Sequence, residues 1–205
     1  AFVEAACAWD CGWYKGIIGD GYGAPGTPRY VNRAFFPLFP ALVAGLHQLT
    51  GLTIAASGLV ASTAFTLAAA LAARQWFGAN RHAWWLFAFS LFLGPFSVLL
   101  ATLYTEALFI LLSLLALNAV NRQRWFEAGC WVALLSATRV TGVLMSLAIV
   151  AGFVVAHVAT TGSLRTLIPQ ALRTPRLLVG LLVAPLGLLG YMGLLAFEVG
   201  DPLAF

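Results

Sequence analysis

The chain has 205 residues, 61% of them hydrophobic and only 9% charged, with a mean hydropathy of +0.92. A soluble domain carries roughly a quarter of its residues charged, so this composition cannot build a water-facing surface. The formal charge of +4 sits largely on arginines in short segments between apolar blocks, where it orients a membrane protein and does not suggest a nucleic-acid partner.

The apolar blocks approach the ~20 residues needed to cross a ~30 Å hydrocarbon layer as helix, and helices that satisfy their own backbone are the expected solution. The expected fold class is therefore an all-α polytopic membrane protein. Residues 1–51 read as an extracytoplasmic loop with short membrane-surface helices, one of them at 35–49, broken by Pro37 and Pro40. The start at Ala1 and the early charges Glu4, Asp10, Lys15 and Asp20 do not fit a signal peptide, and lead us to expect a preceding anchor.

Residues 52–205 read as a transmembrane bundle of about six helices. The first, 52–73, is rich in Ala, Ser and Thr, which permit close helix packing in lipid. Helix 83–103 follows, with Pro95 a kink, and then 106–120, capped by Thr105. The stretch after Arg124 is long for one span and short for two. A hairpin of 125–138 and 140–158 puts all the basic loops on one face and is favoured by the positive-inside rule; 177–197 is the last span. With this threading seven of the eleven basic residues face the cytoplasm, and six of the seven acids, all but Glu127, face the other side. Trp76, Trp84, Trp85 and Trp125 then fall at the cytoplasmic boundary, where amphipathic rings prefer to sit. Residues 1–34, the Tyr104–Glu106 corner, the Ser136–Gly142 break and the tail after Glu198 meet on the non-cytoplasmic side and form the candidate site.

Within those pieces, Asp10 lies among Trp9, Trp13 and Tyr14. A carboxylate held there can act as a general base on a hydroxyl while the rings stack on a sugar face. The alternative is an N-cap carboxylate of a short helix. Glu106 is an ionisable group at membrane depth, a functional candidate that its own helix N-terminus could equally explain. Arg139 interrupts an apolar run and suits a phosphate, or else pairs with Glu106 or Glu198. Gly21, Gly23 and Gly26 have dinucleotide-loop spacing but no preceding strand, so this is read as a loop with Asp20 as a turn residue. His47, His82 and His157 have no ligand spacing and no metal site is expected. Cys130 is far from Cys7 and Cys11, which could pair; free thiols are favoured.

Taken in order, Trp9-Asp10-x-x-Trp13-Tyr14, Asn32-Arg33-Ala34-Phe35-Phe36-Pro37-Leu38-Phe39-Pro40, Tyr104-Thr105-Glu106-Ala107-Leu108-Phe109, Thr138-Arg139-x-x-Gly142 and Gly200-Asp201-Pro202-Leu203-Ala204-Phe205 resemble the PIG-V type mannosyltransferases. These enzymes add the second mannose of GPI anchors, and they have bacterial relatives. The resemblance implies a GT-C type helical bundle with a large extracytoplasmic first loop, whose catalytic aspartate matches Asp10. It implies inverting transfer of a mannosyl unit from a polyprenyl-phosphate mannose donor to a lipid or glycan acceptor, with no cofactor or metal. Arg139, with Lys15 or Arg33, would stabilise the departing phosphate, and Glu106 with Tyr104 would orient substrate beside Trp9, Trp13 and Tyr14. A transporter or flippase of a lipid-linked or small polar substrate is the alternative, but no internal repeat supports it; a purely structural subunit ranks third. The arginine-rich, lysine-poor composition favours a bacterial plasma membrane over the endoplasmic reticulum, with membrane lipids as surroundings.

Overall fold

The computed structural model describes residues 10–22 and 32–205, apart from the side chain of Val199. The described residues are 78% helix, without strands. The helices are α1 (Cys11–Asp20), α2 (Leu38–Thr50), α3 (Ile54–Phe77), α4 (Arg81–Leu93), α5 (Ser97–Ala101), α6 (Glu106–Asn121), α7 (Trp125–Ser136), α8 (Ser146–Thr161), α9 (Leu167–Leu172), α10 (Pro175–Val183) and α11 (Leu186–Val199), with 3₁₀ turns at Asn32–Ala34 and Val140–Met145. Three helical stretches, Ile54–Phe77, Val140–Thr161 and Pro175–Glu198, are long and apolar enough to cross a membrane. The chain divides into two compact units, 1–111 with 191–205, and 112–190.

In the first unit, α2 ends where Gly51 takes a left-handed φ of 71°, a conformation that costs a residue without Cβ little. Two residues on, the Thr53 side chain accepts from the Ala56 N–H and opens α3, satisfying one of the donors that a helix start leaves over. The inner face of α3 is built from small residues: Ala55, Ala61, Ala69, Ala70 and Ala73 are all buried. At Gly58 the fit is so close that an added Cβ would overlap the Leu103 side chain.

Pro95 does more than bend a helix. It lacks an N–H and crowds the carbonyl four residues back. The expected single helix is accordingly divided: α4 stops at Leu93, and α5 has only five residues. The Thr66 hydroxyl donates to the Leu100 carbonyl at 2.9 Å and the Ser62 hydroxyl to the Thr102 carbonyl at 2.5 Å, so the polar backbone of this broken region is bonded from within α3. On α4 only Ala88 and Leu91 are buried, while Leu86, Leu93 and nearby Phe96 are each more than two-thirds exposed. So much contiguous apolar surface fits a hydrocarbon environment.

In the second unit, α7 and α8 form an antiparallel hairpin. Trp125, at the start of α7, meets Phe153 far along α8 with ring centroids 5.6 Å apart. At the other end, a Cβ on Gly142 would strike the Leu135 carbonyl. Trp125 is thus packed in the core of this unit, only 7% exposed. Against α7, in parallel with it, lies α10: a Cβ on Gly129 would collide with the Gly180 backbone, and one on Gly180 with the Trp125 carbonyl. Ala128, Val132, Ile149, Leu177 and Ala184 fill the core beside this contact.

The turn at Ala184 and Pro185 divides α10 from α11. Ser136 inserts its hydroxyl there: it donates to the carbonyls of Ala133 at 2.9 Å and Ala184 at 3.2 Å, and accepts from the Leu188 N–H at 3.2 Å. Ala184 and Leu188 are four residues apart, the spacing of a helical hydrogen bond, so the side chain bridges the gap in the ladder.

Because backbone lies where a methyl group would go, Gly180→Ala is expected to destabilise the chain by about 1–3 kcal/mol. Gly190→Ala, where no atom lies within 4 Å of the added Cβ, should be neutral or slightly stabilising. Thermal unfolding of both variants in the same detergent measures the contrast.

Candidate functional site

Asp10 occupies the N-cap position of α1, but with helical backbone angles (φ −64°, ψ −18°) and no side-chain capping bond. A capping side chain needs an extended backbone to turn back onto the first N–H groups. Here the carbonyl of Asp10 accepts from Trp13 at 3.0 Å and Tyr14 at 3.2 Å, while its carboxylate stays exposed. The backbone N–H groups of Asp10 and Cys11, which an N-cap side chain does not reach, act instead on the Tyr104 hydroxyl.

Tyr104 is buried, and burial raises its phenol above the ordinary range. The negative charge of Asp10 raises it further, the backbone donors of Asp10 and Cys11 oppose, and Glu106 adds a smaller upward push. Two carboxylates on segments almost a hundred residues apart in sequence therefore both act on one hydroxyl. Glu106 opens α6 and is half-buried. Beside it, Tyr14 donates to the Thr105 hydroxyl at 3.5 Å. The rings of Phe35 and Phe39 meet Tyr14 edge-on with centroids 5.0 and 5.5 Å away, and Trp13 stacks on Phe35 at 6.4 Å.

Phe35 joins this group to a second one. Its carbonyl accepts from the Tyr22 hydroxyl at 2.6 Å, and the Arg33 carbonyl accepts from the Tyr191 hydroxyl at 2.7 Å. Asn32 and Arg33 are buried in this turn. Phe36 packs on Tyr191 at 4.6 Å and on Phe205 at 5.5 Å, which seats the tail on the turn, and the Asp201 carboxylate accepts from the Leu203 N–H at 2.9 Å.

Three of the four expected pieces thus belong to one compact unit: the first segment, the Tyr104–Glu106 corner and the tail. The Ser136–Gly142 break belongs to the second unit, where Thr138 is buried and donates to the Leu135 carbonyl at 2.6 Å. Arg139 there is exposed, with an extended backbone. Lys15 is half-buried on α1, and Trp9 lies outside the described residues. Asp20 is the last residue of α1 and not a turn residue; the glycines after it at 23 and 26 lie outside the described residues. Cys11 is disulfide-bonded, contrary to the free thiol favoured from sequence, while Cys130 is free; Cys7 lies outside the described residues. Among the described residues no group of three or more His, Cys, Asp or Glu side chains is placed to hold a metal ion.

Sequence reasoning misses Tyr22, Phe36 and Tyr191. The only sign of Tyr191 is that it is a hydroxyl inside an otherwise apolar run, and Tyr22 is hidden by its glycine-rich neighbours.

Burial, and then the neighbouring Tyr191, push the Tyr22 phenol far above the ordinary tyrosine range. A raised folded-state value favours the protonated form in the fold. Its contribution is complete below the unfolded value of about 10 and is lost as pH rises towards the folded value. Stability should therefore fall with pH above about 10, and less steeply in Tyr22→Phe; chemical denaturation across that range reads the two slopes.

The chain was compared with family models, curated proteins and solved structures, and nothing matches in any of the three.

Proposed function

We propose that the chain is a multi-pass integral membrane glycosyltransferase of the PIG-V type, built on a GT-C bundle. It moves a mannosyl unit from polyprenyl-phosphate mannose to a lipid or glycan acceptor on the extracytoplasmic side of what the composition suggests is a bacterial plasma membrane. The observation that carries this reading is the exposed, uncapped carboxylate of Asp10 close to Tyr104. An N-cap aspartate with a purely structural role would be bonded to its own helix; this one is turned away from that work. The disulfide at Cys11 supports an oxidising, extracytoplasmic setting for the same segment.

In the reaction, Asp10 takes the proton of the acceptor hydroxyl. The acceptor oxygen attacks the anomeric carbon from the face opposite the phosphate, the carbon–oxygen bond to the phosphate breaks, and the polyprenyl phosphate leaves with the electron pair. The sugar emerges inverted. Lys15 and Arg33 belong to the same unit as Asp10, and stabilising the phosphate is their assigned part. Arg139 belongs to the second unit, and its role with the phosphate rests on the resemblance alone. Glu106 and Tyr104 orient the substrates, with Trp13 and Tyr14 as the aromatic wall.

Asp10→Asn should lower transfer from radiolabelled polyprenyl-phosphate mannose by about 10²-fold or more with donor binding retained, assayed in membranes containing native lipid extract. Unchanged transfer in that variant would refute the assignment of the base. No transfer by the wild-type chain, with donor bound, would favour a transporter.

A further inference from the structure

The second unit carries a charged pocket that the proposed transfer does not use. The chain leaves α6 at Asn121 and reverses through Gln123, which takes a left-handed φ of 55°, before α7 begins at Trp125. Between this turn and the start of α10 lies an open pocket of about 590 Å³, within the usual range for small-molecule sites. Arg122 and Arg124 line it from the turn, and Arg176 from α10. The one acid in its wall is Glu127, already paired with Arg124 at 3.2 Å. Three guanidinium groups against one carboxylate leave two positive charges in excess, and among the described residues neither Arg122 nor Arg176 has an acidic partner.

Two further features give the pocket its chemistry. The parallel helices α7 and α10 both begin here, and neither start has a side-chain cap, so two positive helix ends add to the arginine field. The wall is also partly apolar, with Trp125 and the half-exposed Phe126 lining it, and beyond the lining, farther along α10, Val179 and Leu182 are 45% and 72% exposed. A small soluble anion would engage the arginines and leave this apolar surface uncovered. An anionic head joined to a hydrocarbon body matches both parts.

We infer that the Arg122, Arg124 and Arg176 pocket holds the phosphate headgroup of an anionic membrane phospholipid, with its acyl chains along the apolar flank of α10. Arginine suits this occupant because its planar fork can donate two parallel hydrogen bonds to one phosphate.

The test titrates the detergent-purified full chain with phosphatidylglycerol and counts bound lipid by native mass spectrometry. The R122Q/R176Q variant should bind phosphatidylglycerol roughly thirty-fold more weakly than wild type. The R165Q/R173Q variant, which loses the same two charges outside the pocket, should bind within about twofold of wild type. Neither phosphatidylcholine nor inorganic phosphate should displace the bound lipid. Equal binding by R122Q/R176Q, or an equal loss in R165Q/R173Q, overturns the site. Displacement by inorganic phosphate makes it a soluble-anion site instead and overturns the lipid. A second measurement needs no variant: photoactivatable phosphatidylglycerol on the wild-type chain should label peptides containing 122–127 and 176–182, and labelling confined to other peptides refutes the proposal.

Discussion

The structure depends on one constraint: where water is excluded, every backbone group released from a helical ladder needs a partner supplied by the protein. Both proline breaks obey it in the same way. Near Pro95, hydroxyls of Ser62 and Thr66 on the neighbouring helix reach the carbonyls of Thr102 and Leu100. At Pro185, Ser136 stands between Ala184 and Leu188. Small polar residues in apolar helices thus act as partners for displaced backbone. That dictates which helices must lie side by side, because only a helix packed closely enough can deliver a side chain as short as serine. The glycines at 58, 129 and 180 allow that approach.

The same economy of partners shapes the candidate site. At the start of α1 the Asp10 side chain makes no capping bond, and the Tyr104 phenol lies against the backbone N–H groups of Asp10 and Cys11. A neutral hydroxyl is well suited to a buried position, where a carboxylate would be costly to desolvate. The Asp10 carboxylate stays exposed. The Tyr14 hydroxyl, donating to Thr105, ties α1 to the corner that begins α6. The aromatic cluster around Phe35 and Tyr191 holds the segment that follows the turn against the tail, and Asn32 and Arg33 are buried in that turn.

The apolar helices are legible in the sequence as long unmixed apolar blocks, and α3, α6 and α7 begin and end within a few residues of the hydropathy boundaries, whereas the stretches expected at 83–103 and 177–197 are each divided in two. The loop arginines are the sequence's reason to expect a reversal after α7, since a single span would scatter them. Other features follow from tertiary contacts that no local pattern encodes. Whether Pro95 bends or breaks a helix depends on whether α3 offers hydroxyls to the broken segment. That Asp10 leaves its helix uncapped follows from its helical backbone angles, which no residue pattern announces. The burial of Trp125 against Phe153 is likewise invisible to a rule that reads tryptophan at a helix end as a boundary residue. Of the candidate site, the aromatic and acidic members are legible as anomalies in apolar surroundings, whereas Tyr22 and the Phe35 carbonyl it shares with Tyr191 are not.

The bridge at Ser136 has a consequence for how this chain can change. A helix ladder closed by a side chain from another helix makes Pro185 and Ser136 one functional unit spread over two positions nearly fifty residues apart. An alanine at 136 would strand Ala184 and Leu188 while Pro185 remains, and a residue able to continue the helix at 185 would remove the need for the hydroxyl. Descendants of this sequence should therefore tend to keep both residues or lose both, and the pair would register as coupled in sequence variation without either having any part in chemistry.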